Sequence, residues 1–259
     1  MSEESKHLDI KVELDKLKTM YDEDKKQDSF NLLLLGESGT GKTMISRTCR
    51  TPVLIDSFDP GGTKGLKEEI DAGKIFVDTR WENEDPTHPK AFKLWEAEFE
   101  RRLKMGFFNE LGTYILDSST TWADAIMNFI LLKAGIPGQA PRFTHDYGPQ
   151  KIIIRNKLKK MLSLPCDFIL TGHLEAQKDE VTGKVKWRYL TTGKGVVTIP
   201  LLFDEIYVTT TKETSKGVTY QLLTARTSTY MAVTRKGRGK FEIYEEPNIQ
   251  YLLKKAGRL

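Results

Sequence analysis

The chain has 259 residues with 39% hydrophobic and 29% charged side chains and a net charge of +4, a balance that suits one large α/β core and excludes fibrous or low-complexity chains. No apolar run approaches the ~18 residues of a membrane span, the opening MSEESKHLD is too polar and acidic for a secretory signal, and Cys49 and Cys166 each sit beside apolar residues as free thiols would; the expected setting is cytoplasmic, away from any membrane. Charge is uneven, since residues 151–259 hold 20 Lys and Arg against 10 Asp and Glu while the first 150 hold 20 against 26, and this asymmetry points to a polyanionic partner for the C-terminal half.

Ile10, Leu14, Leu17 and Tyr21 recur at helical spacing among dense charges, which predicts an amphipathic helix docked on the core or on a neighbouring subunit, the former being the leading expectation, followed by the charged linker DEDKKQD. Residues 1–28 thus form a charged N-terminal helix and linker, and 29–259 one domain. From residue 30 short apolar runs alternate with helical stretches, the pattern of a doubly wound, mostly parallel α/β sheet. Strands are predicted over 30–35, 52–56, 74–78, 113–117 and 167–171. A helix opened by Pro89 carries Phe92, Trp95, Phe99 and Leu103 on one face and stops at Gly106. Further helices are predicted over 120–134 and from Tyr147 to about Leu164. Beyond residue 200, DEIYVTTT, VTYQLLTA, TYMAVT and KFEIY read as the antiparallel strands of a β meander, and Pro247 starts a short last helix.

The first strand runs into GESGTGKT, which fits the phosphate-binding pattern G-x-x-x-x-G-K-[ST]. Gly36, Gly39 and Gly41 allow the backbone to curl with its N–H groups inward, and Glu37, Ser38, Thr40 and Met44 complete the cradle. The helix expected after the loop adds its positive end. Lys42 would neutralise the β- and γ-phosphates of ATP, and the Thr43 hydroxyl would ligate Mg²⁺. A metal-bound triphosphate also needs a carboxylate at a neighbouring strand end. TYILDSST offers Asp117, which either holds the Mg²⁺ with Ser118 or Ser119 behind it or caps the next helix. For the attacking water, VLIDSFDPGG offers Asp59 beyond the strand tip, with Asp56 at the strand end in a structural place. Guanine recognition through N-K-x-D is poorly served, because NKLK lacks the acid. A kinase lid would need paired arginines, and Arg101 and Arg102 lie on a helix that reads as core packing.

The order GESGTGKT, VLIDSFDPGG, TYILDSS, FILTGH and a β meander ending in TYMAVTRKGRG resembles the RecA-like core, and more closely the phage-encoded nucleotide-binding ATPases of single-strand annealing and recombination. The resemblance spans roughly residues 30 to 245. It implies an ATP-dependent protein that assembles on single-stranded DNA as a homo-oligomeric ring or filament, with nucleotide between subunits and a single-stranded DNA-binding protein as a further partner. His173 matches the polar γ-phosphate sensor, and Arg235 and Lys236 match basic residues that reach a neighbour's phosphates; the alternatives are a packed histidine and a solvated turn. The chain departs from the RecA pattern in lacking a glutamate soon after the second-strand aspartate, where Phe58 and Asp59 stand.

After His173, Thr182-Gly183 marks a turn, and beyond it Lys184, Lys186 and Arg188 alternate with Val185, Trp187 and Tyr189. Period two sends cations to one side and aromatic residues to the other. The ribbon either follows a phosphate backbone while Trp187 or Tyr189 stacks on bases, or packs its apolar side on the core. Gly135 to His145, with Arg142 as its cation, is a second loop candidate. The leading expectation is a DNA-stimulated ATPase that promotes annealing or strand exchange. A nucleotide-gated scaffold with little turnover and a helicase or loader motor are its rivals.

Overall fold

The computed structural model describes residues 3–22, 29–178, 180, 183–191, 195–215 and 217–258. Residues 23–28 of the expected linker, Thr182 of the hairpin turn and Lys216 lie outside the described residues. In chain order the elements are α1 (Glu3–Asp22), β1 (Asn31–Gly36), β2 (Val53–Ser57), α2 (Lys67–Asp71), β3 (Ile75–Asp78), α3 (Ala91–Lys104), β4 (Thr113–Asp117), α4 (Ser119–Lys133), α5 (Tyr147–Met161), β5 (Asp167–Lys178), β6 (Val185–Tyr189), α6 (Gly195–Thr198), β7 (Glu205–Thr214), β8 (Gly217–Leu223), β9 (Val233–Thr234), β10 (Tyr244–Glu245) and α7 (Ile249–Lys255).

The sheet runs β10-β8-β7-β1-β5-β4-β2-β3, with β6 paired to β5 and β9 to β7. From β7 to β3 every pairing is parallel, while β8, β10, β6 and β9 pair antiparallel. Strand β1, with its unbroken NLLLL run, lies inside the parallel stretch and is buried along its length, as a strand covered on both faces must be. Its side chains alternate between two apolar layers. Leu33 and Leu35 join Trp95, Phe99, Trp122 and Leu158 beneath α3–α5, whereas Leu32 and Leu34 join Ile45, Leu66 and Leu252 on the opposite face. Each such leucine contributes about 1.5–3 kcal/mol by leaving water.

Four expectations are corrected. The loop is followed by a six-residue 3-10 turn, Thr43–Thr48, rather than an α-helix. Pro52 follows closely and biases the residue before it toward extended backbone, so the chain must enter β2 before further turns can form. On α3 the buried stripe is Phe92, Trp95, Phe99 and Arg102, while Leu103 is exposed. The N-terminal helix does not dock on its own core: Ile10, Leu14, Leu17 and Tyr21 are 53–62% exposed. The last two meander strands shrink to two residues each, β9 and β10.

The buried Arg102 explains Asp56. Its guanidinium donates to Asp56 Oδ1 at 2.9 Å and to Asp78 Oδ2 at 2.6 Å, and Asp56 Oδ2 accepts from Trp95 Nε1 at 2.9 Å and Tyr114 Oη at 2.7 Å. Burial pushes the Asp56 carboxyl up, and Arg102 opposes that shift. Asp56 therefore ties β2 to α3 and faces away from the phosphate loop. Asp56→Ala leaves Arg102 buried beside a hole and is expected to lower the free energy of unfolding by about 3–5 kcal/mol, read by urea denaturation.

Candidate functional site

The carboxyl ends of the parallel strands gather the chemistry, as in other open α/β sheets. Gly36 ends β1 directly between His173 on β5 and Thr209 on β7. A Cβ on Gly36 would fall 2.0 Å from Thr209 Oγ1 and 2.6 Å from Thr40 Oγ1, so only glycine fits there. Those two hydroxyls bond at 2.7 Å and fasten the loop to β7. Gly39 and Gly41 take φ of 76° and 90°, which side-chain-bearing residues rarely adopt. The loop, from Ser38 to Ile45, lines a cavity of about 680 Å³ with Asp59, Asp117, His173, Tyr220 and Pro247 at its other walls. That volume matches a nucleotide-sized site.

Asp117 ends β4 at 2% exposure. Its Oδ2 accepts from Thr43 Oγ1 at 2.8 Å, and its Oδ1 accepts from Thr171 Oγ1 on β5. Burial pushes the carboxyl up, while the two threonine hydroxyls and Lys42 pull it back toward the charged form. The helix-cap alternative fails, since the N-cap of α4 is Ser118. Thr43 and Asp117 fit Mg²⁺, which takes few protein oxygens and completes its shell with phosphate and water. Among the described residues no cluster of three or more His, Cys, Asp or Glu forms a metal cage, and a phosphate-borne ion needs none. Lys42 is buried, with Nζ donating to the carbonyls of Gly36 at 3.1 Å and Glu37 at 2.8 Å. Burial lowers its ammonium pKa, and the fields of Asp117, Asp59 and Glu37 offset part of that. Met44 lines the cavity just past Thr43.

Asp59 Oδ1 accepts from Ser118 Oγ at 3.0 Å and Thr121 Oγ1 at 2.6 Å, so the Ser118 hydroxyl is engaged with Asp59. Ser57 Oγ donates to Glu82 at 2.7 Å and the Gly61 N–H donates to the same carboxylate at 3.3 Å, which holds the Asp59 turn from behind. His173 Nδ1 lies 3.2 Å from Thr120 Oγ1. Burial, then Lys42, lowers the imidazole pKa against the pull of Asp59 and Asp117. The sequence reading missed Thr171, Thr209, Thr121 and Tyr220. Thr171 is visible as a lone hydroxyl in the apolar run FILTG; the others carry no signal until the chain is folded.

The hairpin predicted after His173 forms, with β5 continuing through Leu174–Lys178 against β6. Lys184, Lys186 and Arg188 are exposed. Trp187 is partly exposed and stacks on Tyr230 at 6.4 Å between ring centroids and 14° between planes. Tyr189, offered as a base-stacking residue, is instead 4% exposed in the core, and burial pushes its phenol up to about 12. In the second loop candidate, Arg142 is spent on Asp146 at 2.9 Å. Arg235 is exposed and pairs with Asp204 at 2.8 Å. Lys236 departs from the expectation of reaching a neighbour: its half-buried ammonium donates to the Ser29 carbonyl, and its backbone N–H donates to Glu205. Both residues lie at the amino ends of the strands, away from their own phosphate loop.

A scan against protein-family models finds no match, and a search of curated proteins finds none. Among solved structures the chain is similar to a KaiC-like protein from Pyrococcus horikoshii, with 14% identity, 80% of this chain and 82% of the other covered, and a TM-score of 0.42. It is similar to the flagellar accessory protein FlaH from Methanocaldococcus jannaschii at 13% identity, covering 83% of each chain, with a TM-score of 0.44. An ATPase of the type III secretion system of pathogenic bacteria matches at 15% identity over 70% of this chain and 52% of its own, with a TM-score of 0.42. At such values the likeness concerns the course of the chain, and function must be argued from the site.

His173 supplies a check. Its folded pKa lies below the ordinary 6.5, so between the two values the unfolded chain binds more protons, and stability rises with pH through that window. An NMR titration is expected to place the imidazole below 6.5, and His173→Gln is expected to flatten the slope of unfolding free energy across the same window.

Proposed function

We propose that the protein is a RecA-like P-loop ATPase that binds single-stranded DNA and promotes annealing or strand exchange, with ATP and Mg²⁺ held between the subunits of a homo-oligomer. The observation that carries this reading is the continuity of β5. The strand sets His173 opposite Gly36 of the phosphate loop and, from the next residue, Leu174, through Lys178 pairs with the basic β6. A displacement of His173 by the γ-phosphate is therefore transmitted along one strand to Lys186, Trp187 and Arg188.

In this reading Lys42 leaves the Gly36 and Glu37 carbonyls for phosphate oxygens. Thr43 and Asp117 would hold the Mg²⁺, which would supply charge neutralisation at the phosphates. Asp59, oriented by Ser118 and Thr121, accepts a proton from water on the far side of the cavity. Arg235 stands exposed for a neighbouring subunit, and Lys236, committed within its own chain, does not share that task. Slow turnover with nucleotide acting mainly as a gate is the second reading. It is favoured by Asp59 itself, a short carboxylate already accepting two hydroxyl hydrogen bonds.

Phosphate release measured with and without oligothymidylate separates the two readings, because a working ATPase is stimulated by the DNA and a gate is not. Lys42→Ala is expected to abolish turnover, and undiminished hydrolysis by that variant refutes the ATPase. Changing Lys184, Lys186 and Arg188 together to alanine is expected to weaken DNA binding and reduce the slope of log affinity against log salt by about 2, at roughly 0.7 per contact. An unaltered slope would make the ribbon structural.

A further inference from the structure

A second cavity, of about 900 Å³, lies beside the hairpin and apart from the phosphate loop. One wall is β6, the other is the segment from Arg226 to Arg235, and Leu35, Phe203 and Ile206 contribute to its floor. Five cations line it, Lys184, Lys186, Arg188, Arg226 and Arg235, the last of them paired with Asp204 at 2.8 Å, and among the described lining residues there is no Asp or Glu. The two walls are joined by the Trp187 N–H, which donates to the Thr229 carbonyl at 2.9 Å, and by the near-parallel rings of Trp187 and Tyr230. The floor belongs partly to β1, whose Leu35 is the residue before Gly36. Burial, and then the Glu37 carboxylate of the phosphate loop, push the Tyr230 phenol up from its usual range.

This combination selects its ligand. An all-cationic rim favours a polyanion, an apolar floor and two flat rings favour unstacked aromatic bases, and duplex DNA would keep its bases out of such a groove. We propose that the groove between β6 and residues 226–235 is a base-binding subsite for single-stranded DNA, in which Trp187 and Tyr230 form the stacking platform and Arg226 contacts phosphate. The proposal rests on the DNA-binding reading above and extends the DNA path from the hairpin to a second, sequence-distant segment.

Trp187 makes the test direct. Of the four tryptophans, Trp81, Trp95 and Trp122 are 0–2% exposed, so changes in emission on DNA binding report Trp187. Oligothymidylate and an abasic oligonucleotide of equal length are titrated into the full chain, with anisotropy of the labelled strand followed in parallel. The thymidine strand is expected to quench Trp187, while the abasic strand binds through charge with little quenching. Tyr230→Leu is expected to weaken thymidylate binding roughly tenfold, the cost of one lost stack. Arg226→Ala is expected to weaken it and to reduce the salt slope by roughly 0.7. Equal quenching by the abasic strand, quenching by an acidic peptide but not by thymidylate, or unchanged affinity in both variants overturns the proposal. Should Tyr230→Leu fail to fold, Arg226→Ala decides, since that side chain is exposed. Binding seen by anisotropy without a Trp187 response overturns the groove alone, whereas no binding of thymidylate at all overturns the reading beneath it as well.

Discussion

The site depends on one nearly buried carboxylate in the wall of the loop cavity. Asp117 lies at the carboxyl end of a central strand with hydroxyls from the phosphate loop and from β5 on its two oxygens. Burying an unpaired charge is costly enough that the group would sooner take up a proton. Two donated hydrogen bonds and the nearby Lys42 ammonium oppose that outcome. The hydroxyl of Thr43 and the carboxylate of Asp117, which satisfy each other, are also an oxygen pair suited to a divalent ion.

Around that pair the fold arranges rigid supports. Gly36 must lack a side chain because Thr209 and Thr40 meet across it. The turn carrying Asp59 is held from one side by Ser118 and Thr121 and from the other by Glu82. Strand β5 then leaves the edge of the site and becomes half of a basic hairpin.

Much of this was legible beforehand for a physical reason. A buried parallel strand needs an unbroken apolar run, and a phosphate loop needs glycines at fixed offsets, so NLLLL followed by GESGTGKT declares both locally. β4 falls where TYILD places it, and α3 and α4 begin and end within two residues of their expected bounds. Leu103 shows where periodicity misleads. It continues the apolar stripe of α3, yet it is exposed, and Arg102 takes the buried place because Asp56 and Asp78, distant in sequence, hold it in the interior. Tyr189 errs in the opposite sense, since alternation put it beside Trp187 on one side of a ribbon and only packing decided that one ring enters the core and the other does not.

The sequence by itself determined the class of the fold, the phosphate loop, the strand-end aspartate and the basic ribbon, because each is written in contiguous residues with its own spacing. Only the tertiary structure decided that Thr171 and Thr209 brace the site, that Lys236 is engaged within its own chain, that the N-terminal helix stays exposed, and that Trp187 meets Tyr230. Those outcomes join segments dozens to hundreds of residues apart, and no local pattern records a contact that exists only once the sheet has closed.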